Sequence, residues 1–415
     1  MRKRLTVLAV LVTATLAAAI LAAGGAQSKT VLDRPQAVTA ASGTVTLSGW
    51  SVGKVEEDLV KEVIAAFERK FPNINVSYDA IPNYDQAMLA KFSARQPPDV
   101  FYLNSEKAPT WIGQGLIAPL DSQVKRSKFK TKPFYPRLLN AFRSKGKLYG
   151  FPKDWSPLGM EINLELLSRA GGKAPTTWAT LRSFAQRLKP LMTGTARPIC
   201  LAPEWQRMLA FVYQNKGTVL KNGRPQFTSA AVRQAVNFYV GLQTAGLGDT
   251  PAKLGVGWCG EAIGKEKAAI AFEGNWAYPY LPETFPNVRW RFFPMPKGKV
   301  RGTLGFTVSY STSPASKNKA AAWELIRYLT GQAGMRLWTS KGLALPARSD
   351  VKVNFPAPSR KPLLNEAGYA HVWLWPDGWD KVWTIANNEL GAVLEGKQTV
   401  NGMLSRIQSE AQSAR

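Results

Sequence analysis

Apolar residues at Val55, Leu59, Val63, Ile64, Phe67 and Phe71 repeat at the three- and four-residue spacing of one helical face. Residues 54–71 are therefore expected to form an amphipathic helix, which Pro72 ends. A strand over Thr44–Leu47, closing at Gly49-Trp50, precedes it. The alternation of Ile74–Tyr78 predicts a second strand, Tyr84–Ala94 a second helix, and Asp99–Leu103 a third strand followed by the polar turn Asn104-Ser105-Glu106. Strands alternating with helices in this way imply a mostly parallel, doubly wound α/β sheet.

The pattern continues with extended pieces at Leu148–Pro152 and Met160–Asn163, on either side of Asp154-Trp155-Ser156-Pro157. Helices are expected at Thr177–Leu188, Ser229–Ala245, Ala320–Thr330, Asp380–Glu395 and Val400–Ser413. Pro346–Pro362 is proline-rich and irregular. Ala268–Phe272 is a short apolar run that fits a buried strand, and it stops at Glu273-Gly274-Asn275-Trp276. In open α/β sheets ligands sit at the carboxyl ends of strands, where such turns lie. The plainer reading of this turn is structural, with Trp276 in the core.

The N-terminus has its own logic. Met1–Arg4 is a charged leader and Leu5–Ala23 an apolar run; small residues Gly24-Gly25-Ala26 follow. This reads as a secretory signal over 1–26; an uncleaved anchor is the alternative, because the run nearly suffices to span a bilayer. Residues 27–43 read as a linker. Export makes a Cys200–Cys259 disulfide reasonable, against the alternative of two buried thiols.

Composition narrows the chemistry. At 415 residues the chain is long for one core, so two domains are expected. A single histidine, His371, excludes a His-rich metal site, and the two cysteines form no CxxC motif. No metal, cofactor or catalytic residue is expected. The formal net charge is +26, densest at Lys125–Lys132. It reads either as a solvated loop or as attraction to an anionic envelope or membrane. No recognition helix or RNP-like motif accompanies it, so no nucleic-acid partner is expected.

Five segments in order resemble the extracellular solute-binding proteins of family 1, the maltose-binding-protein-like sugar receptors of ABC importers. They are the opening strand–helix with Trp50 and FERKFPNINV, PPDVFYLNSEKAPTWIGQGLIAPLD at 97–121, YGFPKDWSPLGMEINLELLSRAGGKAPTTW at 149–178, GKEKAAIAFEGNW at 264–276, and Thr303–Trp338. The resemblance implies a type II periplasmic-binding-protein fold, with two discontinuous lobes and a ligand cleft between them. The N-lobe would comprise 44–152 and 304–346, and the C-lobe 153–303 and 347–415. Crossings are expected near Phe151–Pro157, Thr303–Phe306 and Leu345–Ala347. It also implies a sugar ligand, membrane permease subunits as partners, and a monomer that closes by hinge motion.

Aromatic faces stack on pyranose rings, and carboxylates hold their hydroxyls. Both recur at strand ends here. The candidate ligand contacts are Trp50; Asn104, Ser105 and Glu106; Asp154 and Trp155; Glu204 and Trp205; Glu273, Gly274, Asn275 and Trp276; Gly305; and Trp379. Trp373 and Trp375 are further candidates, with packing as the alternative. Asp99 is either a structural cap or a contact. Trp111, Trp178, Trp323, Trp338 and Trp383 read as core. The competing functions are binding of a phosphorylated nutrient such as a glycerol phosphate ester, a polyanion-binding surface protein, and a secreted glycoside-active enzyme using paired carboxylates.

Overall fold

The structure is a computed structural model, and it describes residues 41–50, 53–352 and 361–414. The expected leader and most of the expected linker lie outside the described residues. Gly43 already begins the first strand, Gly43–Trp50. The Lys54–Lys70 helix follows the predicted spacing and buries Leu59, Val60, Val63, Ile64 and Phe67.

A six-stranded sheet organises the first lobe. Gly43–Trp50 lies parallel to Ile74–Ile81 on one side and Val100–Asn104 on the other. The long strand Thr303–Thr312 runs antiparallel to Val100–Asn104 and to Phe151–Pro157. Helices cover both faces. On one, Lys54–Lys70 packs with Lys319–Leu329 and Gln332–Thr339. On the other, Phe92 meets Phe101 and Trp111 edge-on at 5.4 Å each.

Asp99 is the structural cap of this sheet. Its carboxylate accepts from Thr46 N–H (3.0 Å), Ser316 Oγ (2.6 Å) and Asn318 Nδ2 (3.2 Å), tying the first strand to the loop before the Lys319–Leu329 helix. Burial alone would raise its pKa, but these hydrogen bonds hold the carboxyl below the ordinary value.

The second sheet has the order Gly248–Asp249, Arg197–Cys200, Ala268–Glu273, Gly159–Asn163, Trp290–Phe293. The predicted apolar run is its central strand, and all six of its residues are buried. One face receives the Trp205–Gln214 helix, with Phe211 edge-on to Phe272 at 5.1 Å. The other receives the Cys259–Gly264 helix. The two C-terminal helices, Asp380–Leu394 and Val400–Ser413, pack on the Trp205–Gln214 and Ala230–Thr244 helices of this lobe.

The chain passes between the two sheets at two adjacent places, Leu158 and Thr303-Leu304. The Leu158 N–H donates to Leu304 O (2.9 Å), and its carbonyl accepts from Thr303 Oγ1 (2.7 Å). Leu345 exchanges two backbone hydrogen bonds with Trp155, but Ala347 and Ser349 still pair with Tyr135 and Pro133 of the first lobe, so the chain does not leave that lobe at the expected Leu345–Ala347 crossing. The expected lobe bounds are corrected here as well: Lys153–Pro157, expected in the second lobe, continues a strand of the first sheet. Ala370–Val372, assigned from sequence to the second lobe, pairs in parallel with Thr303–Gly305 and extends the first sheet. A three-residue strand carries too little pattern to reveal its partner.

Cys200, at the end of one strand, is bonded to Cys259, the first residue of the helix behind that sheet. The bond closes a loop of 59 positions. Its loss is expected to cost about 4 kcal/mol, by freeing that loop in the unfolded chain. Calorimetry of Cys200→Ala/Cys259→Ala against the parent, with and without reductant, checks this. The double variant should unfold earlier and be indifferent to reductant.

Candidate functional site

A cavity of about 290 Å³ opens between the two sheets, at the carboxyl ends of the Gly43–Trp50 and Ala268–Glu273 strands. Trp50, Glu56, Asn104, Lys153, Asp154 and Trp338 form its first-lobe wall. Trp276, Pro279, Tyr280 and Glu283 form the opposite wall, with Phe306 of the return crossing between them. Trp50 and Asn104 also border an open shelf that contains Asp85, and Asp85 in turn borders a third cavity of about 240 Å³. The shared residues join the three into one groove. Its far end carries Glu106, Lys107, Trp373, Trp375, Asp380 and Trp383.

Trp276 is held from behind. Its indole N–H donates to Glu273 Oε2 at 2.8 Å, and Arg207 Nη2 donates to the same oxygen at 2.7 Å. Arg207 also bridges to Glu204, and its guanidinium carbon lies 5.5 Å from the Trp276 ring centre. Gly274 is required beneath the ring, since a Cβ there would come within 2.4 Å of the indole. The only hydrogen-bond donor of Trp276 is thus already used. What the half-buried ring offers the cavity is its π-face, with Phe306 edge-on at 5.4 Å.

Burial pushes the Glu273 carboxyl up, against the pull of Arg207. Glu161, fully buried on the neighbouring strand, is also raised by burial and then by Glu273; its oxygens have no hydrogen-bond partner among the described residues. Asn275 is fully buried and links the turn to the crossing. Its N–H donates to Ser156 Oγ (2.8 Å), which donates to Asn275 Oδ1 (3.0 Å).

The first-lobe wall is an ionic cluster. Lys153 Nζ lies 2.6 Å from Asp154 Oδ2, and 3.8 Å and 4.7 Å from the ring centres of Trp338 and Tyr102. Trp338 Nε1 donates to the same Asp154 oxygen at 2.7 Å. Beside them burial pushes Glu56 up to about 7, opposed by Lys153.

The folded chain therefore holds a proton on Glu56 that the unfolded chain releases between about pH 4.5 and 7, so stability falls as pH rises through that window. The full shift corresponds to at most about 3 kcal/mol. Glu56→Gln is expected to flatten the fall in unfolding midpoint between pH 5 and 8. Glu106 and Glu366, both pushed up to about 8 by burial, would retain part of the slope.

Of the candidates read from sequence, Trp50, Asn104, Asp154 and Trp276 line the main cavity, and Glu106 lies at the far end of the groove. Glu273, Gly274, Asn275 and Glu204 stand behind Trp276. The others do not line these cavities. Trp205 is fully buried edge-on to Phe227, and Trp379, 2% exposed, lies 5.9 Å from the same ring. Trp155 is buried in the crossing, Gly305 lies beside it, and buried Ser105 donates to the Trp373 carbonyl. Sequence reading missed Glu56, Lys153, Tyr280, Phe306 and the brace Arg207. Trp338, read as core, is core at 3% exposure and also lines the main cavity; Trp383, read as core, packs against the core and borders the far end of the groove.

Among the described residues no group of three or more His, Cys, Asp and Glu side chains is placed to hold a metal ion, and no helix is long and apolar enough to cross a membrane.

Comparison with known proteins agrees with this architecture. The family model for bacterial extracellular solute-binding proteins matches residues 53–336. A binding protein of Brucella abortus is 24% identical over 368 residues, covering 85% of this chain and 88% of that one. The multiple sugar-binding protein of Streptococcus mutans is 21% identical over 315 residues, 70% of this chain and 72% of its own. Among solved structures, the ABC substrate-binding protein of Listeria monocytogenes in complex with cycloalternan superposes with a TM-score of 0.81 at 20% identity, covering 90% of this chain and 98% of that one.

Proposed function

The chain belongs to the family of bacterial extracellular solute-binding proteins, and from that premise we propose that it captures a di- or oligosaccharide outside the cell membrane and delivers it to the permease subunits of an ABC importer. The observation that carries this reading is Trp276. Its ring is set at the cavity wall with its N–H already bound to Glu273, so it is equipped for stacking on a sugar face and not for donating a hydrogen bond. The Streptococcus mutans relative is named a multiple sugar-binding protein, which supports the same class, and the Listeria structure is a complex with cycloalternan.

The charges of the groove favour a neutral ligand over a phosphoester. All three lysines that line it are already paired: Lys54 with Asp58, Lys107 with Asp380 and Lys153 with Asp154. None is left over for a phosphate, while Glu56, Asp85, Glu106 and Glu283 add negative or protonatable groups. The carboxylates nearest the aromatic wall suit binding better than acid–base chemistry, because Asp154 and Glu273 are each tied to a cation and an indole N–H.

In this reading the protein acts as a monomer in the exported compartment. The ligand bridges the walls, and the lobes close about the crossings because closure adds contacts that the open state lacks.

A thermal-shift screen against mono- and oligosaccharides tests the proposal. A ligand at a hundred times its Kd adds about 2.7 kcal/mol of stability. A sugar that raises the midpoint, and reduces the radius of gyration in small-angle scattering, is the expected result. A shift with glycerol phosphodiesters and none with sugars, or hydrolysis of the sugars offered, would overturn it.

A further inference from the structure

We propose that the first lobe carries a face that docks on anionic phospholipid headgroups, holding the protein against the membrane independently of its ligand. Between Asp121 and Asp154 the chain contains no carboxylate. The Asp121–Ser127 helix and the loop after it present Lys125, Arg126, Lys128, Lys130 and Lys132, all exposed. The hairpin Arg143–Leu148 adds exposed Arg143, Lys145 and Lys147. It is fastened to that helix by Leu120 N–H to Leu148 O (2.7 Å) and by Leu148 N–H to Asp121 Oδ2 (3.0 Å). Together with exposed Arg137, this makes nine cations, and none of them forms a salt bridge with a described residue.

Lys128, Lys130 and Lys132 border a shallow open depression with Ser349 and Asp350. The Asp350 carboxylate is bound by the Arg348 guanidinium at 2.8 and 2.7 Å, so it does not neutralise the lysines. This contrasts with the ligand groove, where every lysine is paired.

Two observations favour a bilayer over a soluble polyanion. The cations are spread over a helix, a loop and a hairpin, as a broad surface would engage them. Tyr135, 38% exposed, stands among them between Pro133 and Arg137. A tyrosine with an apolar body and a polar tip suits the headgroup layer, whereas a soluble polyphosphate would have no use for it. Each cation near an anionic surface contributes to attachment, and salt screens the contribution over roughly 10 Å at 0.1 M.

The test is co-sedimentation of the purified protein with phosphatidylcholine vesicles, with and without one-third phosphatidylglycerol. Binding to the anionic vesicles, weak binding to the neutral ones and release by high salt are expected. K128E/K130E/K132E should weaken anionic-vesicle binding by roughly a hundredfold and leave the unfolding midpoint and the sugar-induced shift unchanged. K216E/K221E/R224E makes the same change in net charge at exposed positions of the second lobe, and should alter binding only a fewfold. Equal losses in the two variants would reduce the effect to net charge and overturn the assignment of a face. Equal binding to neutral vesicles would overturn it as well. So would tighter binding to soluble polyphosphate than to vesicles at equal phosphate.

Discussion

Trp276→Ala is expected to weaken sugar binding by roughly a hundredfold or more, erasing the thermal shift at ligand concentrations that saturate the parent. The estimate is that of a central aromatic anchor, about 2–4 kcal/mol on truncation. The ring is half-buried, stands on Gly274 and shares its flank with Phe306, so its removal opens the cavity without cutting into either lobe's core. Unfolding without ligand should therefore change little. Glu273 loses one donor but keeps Arg207. Trp276→Phe retains a stacking face without the N–H and should recover part of the affinity. Titration calorimetry of the three proteins with the best sugar of the screen decides it. An intact shift in Trp276→Ala would remove this ring from the site.

Arg207→Met is expected to cost about 4 kcal/mol of stability, because it leaves the fully buried Glu273 carboxylate without its counter-charge. The defect has a predictable pH dependence. Burial already pushes Glu273 up, and without Arg207 its pKa rises further. The folded variant then binds a proton that the unfolded chain does not, so its deficit grows as pH rises and is smaller at pH 5 than at pH 8. Adding Glu273→Gln removes the stranded charge and should restore much of the loss. Urea unfolding of the single and double variants at the two pH values measures both effects. A single variant as stable as the parent at pH 8 would show that the pair contributes no net stability. Ligand affinity should fall in the single variant too, since Arg207 stands behind the stacking ring.

The strand–helix order of both lobes was legible because each element carries its own period. The Lys54–Lys70 face and the apolar run at Ala268–Glu273 needed no partner to be recognised. The turn after that run was legible for the same reason, since a carboxylate, a glycine and an indole follow a fully buried strand. What failed depended on contacts distant in sequence. Phe306 sits mid-strand in Thr303–Thr312 and has no local mark of a cavity wall. Trp338 lies on a helix with an ordinary buried face, and only the fold brings it to Asp154, 184 positions earlier. Trp205 and Trp379 misled because Trp beside an acidic residue looks alike whether it ends in a cleft or a core. Both belong to the buried end of the same line of aromatic rings that begins at Trp276.

That line gives the protein an optical property. From Trp276 the centroid steps are 5.4 Å to Phe306, 5.3 Å to Trp373, 5.1 Å to Trp383, 4.5 Å to Trp375 and 5.5 Å to Trp379. Indoles this close exchange electronic excitation faster than they emit, so light absorbed deep in the second lobe can leave from a ring near the groove. Emission from the cluster is then depolarised even in a rigid protein, and an event at one exposed indole dims or shifts the glow of its buried neighbours. The molecule carries a built-in fluorescent reporter, readable without any label.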